Sequence, residues 1–126
     1  MSDSKIIPGL KYTAEHEWLK ADGTVGITDF AQHELGDVVF VDLPRVGAAI
    51  TAGKPFGSVE SVKAVSDLFA PVSGTVLAVN DALTTDPAKV NSDPYGEGWL
   101  IRIQLSNAAD ADALLSDSAY AAQISK

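Results

Sequence analysis

The stretch GSVESVKAVSDLFAPVSG, Gly57 to Gly74, sets a single primary amine, Lys63, between two runs with strand character. A lysine amine can be acylated, which removes its charge and turns its long flexible stem into a tether. Such an amine is almost wholly protonated at neutral pH, so a dedicated enzyme has to recognise the tip and attach the group. Hairpin tips ordinarily carry Gly, Asn, Asp or Pro. Here Val62, Ala64 and Val65 stand beside the lysine instead. Apolar residues exposed at a bend point to a protein that docks there. A lysine in a turn is most often only a solvated charge, and it is this context that raises Lys63 above that level.

The other chemistry-bearing residues form no competing site. His16 and His33 have Glu15, Glu17 and Glu34 as neighbours, but HEWLK lacks the second histidine of a zinc helix, and a hairpin separates the two histidines. No metal site is expected. A glycosidase-like carboxylate pair carries no weight in a chain with 17 acidic residues, where chance pairings abound. RVGAAITAGK lacks the spacing and the Ser or Thr of a phosphate loop. With no Cys and no nucleophile–base pair, the residues do not describe an enzyme with its own active site.

The bulk composition is that of an ordinary soluble globular protein. At 126 residues, 46% hydrophobic and 21% charged, the chain reads as one domain over 1–126. Ten Gly and six Pro favour turns over long helices, so the expected class is dominated by β-structure. A formal charge of −8 with nine scattered Lys and Arg excludes a phosphate-binding surface, hence no nucleic acid. MSDSKIIPGLKY has no apolar signal core, and no apolar run is long enough to span a bilayer, so no membrane role is expected. The absence of Cys favours an intracellular, unexported protein. A bacterial cytoplasm is expected, with a mitochondrial matrix as the alternative.

The elements that must position Lys63 follow from pattern. Residues 1–9 read as a poorly ordered lead-in. HEWLKADGTVGIT is a hairpin about Asp22-Gly23. In TDFAQHELGD, Thr28 or Asp29 caps a short helix near 29–35, and Gly36 stops it. DVVFVDLP predicts a buried strand ending at Pro44. Strands then flank Lys63 on both sides, with Val76, Leu77 and Val79 as core candidates. DALTTDPAKVNSDPYGEG reads as a long surface loop, WLIRIQL as the last strand, and 107–126 as a helical segment with Asn107, Ser116 and Ser118 as candidate caps. Trp18, Phe40, Phe56 and Trp99 are expected in the core.

These motifs together resemble the glycine cleavage system H protein family of lipoyl carriers. GSVESVKAVSDLFAPVSGTV resembles the family's attachment segment, HEW occurs at 16–18, GITDFAQHELGDVVFVDLP at 26–44 and NSDPYGEGWLIRI at 91–103, in the family's order across nearly the whole chain. A biotinyl carrier has Met on both sides of its lysine where this chain has Val62 and Ala64. Lipoyl domains of 2-oxo acid dehydrogenases are usually tethered to larger chains. A biotinyl or lipoyl carrier for another transfer pathway remains the alternative.

The resemblance implies a small sandwich of two antiparallel sheets, the barrel-sandwich hybrid of lipoyl and biotinyl carriers, with a C-terminal helix. It implies a shuttle rather than an enzyme, bearing lipoate covalently on Lys63, with Glu60, Val62 and Ala64 read as recognition residues for the lipoate-attaching enzyme. The implied partners are a pyridoxal-phosphate glycine decarboxylase, a tetrahydrofolate-dependent aminomethyltransferase and a flavin-dependent dihydrolipoyl dehydrogenase, which a monomer serves most simply. The carried aminomethyl group ends in an amine that is cationic at neutral pH. Glu17 and Asp67 are therefore expected to line a cleft sheltering it, because opposite charge favours the protonated amine. Family members often have His where Glu34 stands here. His33 lies one place earlier, so the cleft role is not transferred to it, and Glu34 is a candidate substitute by charge.

Overall fold

A computed structural model describes residues 5–124 of the chain; the expectations that fall on residues 1–4, 125 and 126 lie outside the described residues. Two antiparallel sheets enclose the core. The larger has six strands in the order β1 (Lys11–Tyr12), β2 (Glu17–Leu19), β3 (Thr24–Ile27), β9 (Ile101–Leu105), β8 (Gly74–Val79) and β5 (Ala49–Ile50). The smaller has three, in the order β4 (Val38–Asp42), β6 (Pro55–Ser61) and β7 (Val65–Phe69).

The expected hairpin joins β2 to β3, pairing Leu19 with Val25 and Glu17 with Ile27. Its tip uses local chemistry: the Thr24 amide donates to Asp22 Oδ1 at 3.0 Å, and Gly23 adopts φ 92°. The strand ladder brings Trp18 opposite Gly26, and a Cβ there would collide with the indole, so glycine is what lets the ring lie flat across β3. Helix α1 (Asp29–Leu35) starts at Thr28, whose Oγ1 accepts from the Ala31 amide at 3.2 Å, and stops at Gly36, whose amide donates to Gln32 O at 3.1 Å.

Two apolar clusters fill the interior. One joins the sheets through residues such as Val25, Val59, Leu68, Val76, Ile101 and Ile103. The other packs Tyr12, Trp18, Tyr120 and Ile124, with Tyr12 and Tyr120 rings stacked at 4.7 Å. Trp18 is wholly buried and donates from Nε1 to Ile27 O. Phe56 is buried in the first cluster, and Trp99 is half-buried against the second.

Four expectations need correction. β4 is an edge strand, not a buried one, and Phe40 is 53% exposed with Val39 beside it at 50%. A register shift between Val38 and Phe40 puts consecutive residues outward, which alternation cannot anticipate. Leu77 is also exposed, next to the shift between Val76 and Ala78 in β8. The segment taken as a surface loop holds two short helices, α2 (Ala82–Thr85) and α3 (Lys89–Ser92), whose Leu83 and Val90 enter the core. Of the C-terminal caps, Asn107 opens a 3-10 turn at Ala108–Ala113 and the Ser116 hydroxyl accepts from Ala119, opening α4 (Asp117–Ile124), whereas Ser118 lies inside that helix.

The described part of the lead-in is tied to the domain. The Lys5 amide donates to Asp29 Oδ2, Tyr95 Oη donates to Lys5 O and Tyr12 Oη donates to Ile7 O. Tyr95 Oη also accepts from the Asp29 amide at the start of α1.

Candidate functional site: an exposed lysine beside an acidic cleft

Lys63 stands exposed in the tight reversal between β6 and β7. The reversal contains no glycine, and neither Val62 nor Lys63 has positive φ. It is closed instead by Ser61: its amide donates to Ala64 O at 2.8 Å, and its Oγ accepts from the Ala64 amide at 3.1 Å. A second brace comes from outside the hairpin, where the Val62 amide donates to Asp37 O at 3.0 Å.

That brace is itself held. Asn91 of α3 accepts from the Val38 amide through Oδ1 at 2.8 Å and donates through Nδ2 to Gly36 O at 2.8 Å and Gln32 Oε1 at 3.0 Å. Asn91 thus fixes residues 36–38, and these fix the tip. Gly36 has φ 77°, and a Cβ there would sit 3.2 Å from Lys63 Cε, so the lysine stem lies over bare backbone at the end of α1.

Beside the tip a cleft of about 290 Å³ opens between α1, the start of β2 and strand β7. The three carboxylates expected near the arm all border it: Glu17 from β2, Glu34 from α1 and Asp67 from β7. Their environments differ sharply. Glu34 and Asp67 are exposed, and Asp67 shares an outward row with Ser58 and Asp42, which places it at the rim. Glu17 is 2% exposed; Oε1 accepts from Thr13 Oγ1 at 2.7 Å and Oε2 from the Phe69 amide at 3.2 Å. Glu17 therefore links the large sheet to the base of the lysine hairpin. Burial pushes its pKa up to about 7, against the two hydrogen bonds, which favour the charged form.

Of the recognition candidates, Glu60, Val62 and Ala64 are all exposed around the lysine, with Glu60 opposite Val65 across the hairpin. His33 does not border the cleft; it is exposed and lies 3.5 Å from Asp29 on α1. His16 does border it, and sequence reasoning gave it no part. It is the one non-glycine residue of positive φ among the described residues, at 74°. Its Nδ1 is hydrogen-bonded to Tyr120 Oη at 2.8 Å, Tyr120 Oη lies 2.7 Å from Thr28 Oγ1, and its ring packs on Phe30. Burial lowers its pKa, so the ring is neutral near pH 7. The partner of this ring is 104 residues away in sequence, and no local signal announces it.

Comparison with known proteins agrees with this geometry. The family model described as Glycine cleavage H-protein matches residues 10–126. A relative named glycine cleavage system H protein from Koribacter versatilis is 61% identical over 110 residues, covering 87% of this chain and 86% of its own. One of the same name from Mycobacterium avium is 61% identical over 125 residues, covering 93% of this chain and 95% of its own. The crystal structure of a glycine cleavage system H protein from Mycobacterium marinum superposes with a TM-score of 0.86 at 47% identity, covering 95% of this chain and all of that one. An exposed lysine on a braced hairpin, two antiparallel sheets and matches spanning nearly the whole length lead to one conclusion: this chain belongs to the glycine cleavage H-protein family.

Proposed function

We propose that the chain is the lipoylated shuttle of the glycine cleavage system, with lipoate in amide linkage to Lys63. It takes an aminomethyl group from glycine decarboxylase, yields it to the aminomethyltransferase and presents its reduced dithiol to dihydrolipoyl dehydrogenase. It acts as a carrier monomer rather than an enzyme, and a bacterial cytoplasm is the compartment this reading assigns. The observation that carries it is the exposed Lys63 tip immediately beside a cleft that gathers Glu17, Glu34 and Asp67.

The site suits such an arm. The lysine stem passes over Gly36, where no side chain obstructs it, and Ala64 and Val65 offer an apolar wall to a hydrocarbon tether. When attached, lipoate supplies a sulfur pair that alternates between disulfide and dithiol and bears the one-carbon amine. The chain contributes the shelter. An ammonium entering the cleft meets Glu17 inside and Glu34 and Asp67 at its mouth, and a cation beside a buried carboxyl draws its pKa down. Glu17, poised near 7, then loses its proton as the cation arrives. Retention is expected to strengthen as pH rises from 6 to 8.

Lys63→Arg keeps the charge but cannot accept the acyl group, so glycine-dependent transfer in a reconstituted system should vanish while the fold persists. Transfer retained by that variant refutes the assignment. For the shelter, Glu17→Gln and Asp67→Asn should each release the carried group several-fold faster at pH 8, and Glu17→Gln should flatten the pH dependence. Release at the parent rate in both variants would remove these carboxylates from the account.

A further inference from the structure

Thr28, Tyr120 and His16 form a hydrogen-bonded chain that joins the start of α1 and the C-terminal helix to the wall of the cleft. Its proton positions follow from counting donors. Thr28 is wholly buried, and its Oγ1 already accepts from the Ala31 amide, so its own hydrogen has one acceptor left, Tyr120 Oη at 2.7 Å. Burial raises the Tyr120 pKa to about 12, so the phenol keeps its hydrogen, which then goes to His16 Nδ1 at 2.8 Å. A neutral His16 ring with its Nδ1 lone pair engaged carries its hydrogen on Nε2. Nε2 has no hydrogen-bond partner among the described residues, and the ring borders the cleft. Neighbouring residues of a strand point to opposite faces, yet His16 and Glu17 border the same cleft, and the left-handed φ at His16 is what breaks the alternation. That backbone is clamped: the His16 amide donates to Thr13 O, and His16 O accepts from the Thr28 amide. Among the described side chains bordering the cleft, Glu15, Glu17, Glu34 and Asp67 offer acceptors and the Ser66 hydroxyl turns to Asp67 O, which leaves His16 Nε2–H as the N–H donor.

We infer that His16 binds the sulfur end of the aminomethyl-loaded arm, its Nε2–H donating to the sulfur that carries no one-carbon group while Glu17 takes the ammonium, and that Tyr120 is the positioning residue that holds His16 in this form. The inference rests on the function proposed above. Place and chemistry select the sulfur. Glu17 is bonded to the amide of Phe69, the last residue of β7, whereas Ala64 and Val65 border the cleft beside Lys63, so Glu17 and His16 lie at the end far from the attachment point. An arm reaching that end has left its amide carbonyl at the lysine; its hydrocarbon accepts nothing, and an ammonium only donates. The two sulfurs are the remaining acceptors. The one bonded to the aminomethyl carbon is depleted by the adjacent positive charge, which leaves the free thiol sulfur. Two contacts of opposite polarity from neighbouring residues then read one end group: a carboxylate for the cation and an imidazole N–H for the sulfur. An arm with a disulfide and no ammonium brings nothing to Glu17, so the pair distinguishes the loaded arm from the empty one.

The test uses the full chain, isotope-labelled at the histidine nitrogens, and combines NMR with release kinetics. In the unmodified chain, His16 should be the Nε2–H tautomer. In Tyr120→Phe, which keeps the ring stacked on Tyr12 but has no hydrogen to give Nδ1, it should become a mixture of tautomers. After lipoylation and loading from glycine by glycine decarboxylase, the Nε2–H signal should be protected from exchange with water, as it is not in the same chain with an unloaded arm. His16→Asn keeps a residue that tolerates positive φ and removes this donor, so release of the carried group should be about fivefold faster. The pH dependence of release should persist in that variant, because Glu17 is intact, whereas Glu17→Gln loses it. An Nδ1–H tautomer in the parent, equal exchange before and after loading, or release at the parent rate from His16→Asn overturns the role of His16 while the shuttle assignment stands. A chain that takes no lipoate on Lys63, or that is not loaded from glycine, overturns both.

Discussion

Two hairpins of this molecule turn by different means. The β2–β3 tip is made from turn residues: Asp22 accepts from the Thr24 amide, and Gly23 takes a left-handed φ where its α-carbon approaches Ile103 O. The β6–β7 tip has no glycine and no residue of positive φ. Ser61 closes it from within, and Asp37, steadied by Asn91, holds it from outside. The first hairpin is specified locally and serves the fold. The second spends its tip positions on Val62, Lys63 and Ala64, and its shape is set by the Ser61 hydroxyl within the hairpin together with one tertiary bond, from the Val62 amide to Asp37 O. A tip without glycine gains part of its hold from its surroundings.

The contrast can be broken at its strongest point with Gly23→Ala. A methyl there meets the Ile103 carbonyl at an unfavourable φ, so a loss of about 3 kcal/mol is expected in denaturant unfolding, with unchanged lipoylation of the molecules that remain folded. A loss below about 1 kcal/mol would mean that this tip too is held from outside.

Glu17 sharpens the comparison through pH, because it ties the base of the lysine hairpin to β2. Its folded pKa, about 7, lies above the usual 4.5, so the folded state binds the extra proton. Its contribution to stability is complete below pH 4.5 and is lost as pH rises through 7. Glu17→Gln keeps an acceptor for the Phe69 amide without the buried charge. It should match the parent near pH 4.5 and exceed it by up to about 3 kcal/mol at pH 8, read from unfolding curves at both pH values. A parent at least as stable as the variant at pH 8 would contradict the burial argument.

Asn91→Ala removes three hydrogen bonds behind the lysine tip. It should cost about 2 kcal/mol and, unlike Gly23→Ala, slow acylation of Lys63 in folded protein, measured by mass spectrometry over time. An unchanged rate would show that the outer brace does not shape the tip.

Which of these features could be read in the chain follows the same division. Asp22-Gly23, the Thr28 cap, the Gly36 stop and the strand character on both sides of Lys63 were legible because each depends on residues within a few positions. Glu17, Glu34 and Asp67 were singled out partly from the family resemblance, and the structure sets all three around one cleft. What escaped was set by distant partners or by register. Phe40 looked like core until the shift in β4 turned it outward. Leu83, Val90 and Asn91 sat in a segment so rich in Asp, Pro and Gly that its two short helices left no periodic signature. His16 depends on Tyr120, from the far end of the chain.

The central claim is that one amine, raised on a braced bend, anchors the working group. Peptide mapping by mass spectrometry after expression with lipoate and a lipoate-attaching enzyme tests it most directly. The account predicts a single lipoyl increment on the peptide containing Lys63 and none on Lys63→Arg. A biotin increment, a lipoyl increment on any other lysine, or an unmodified Lys63 under those conditions would contradict it.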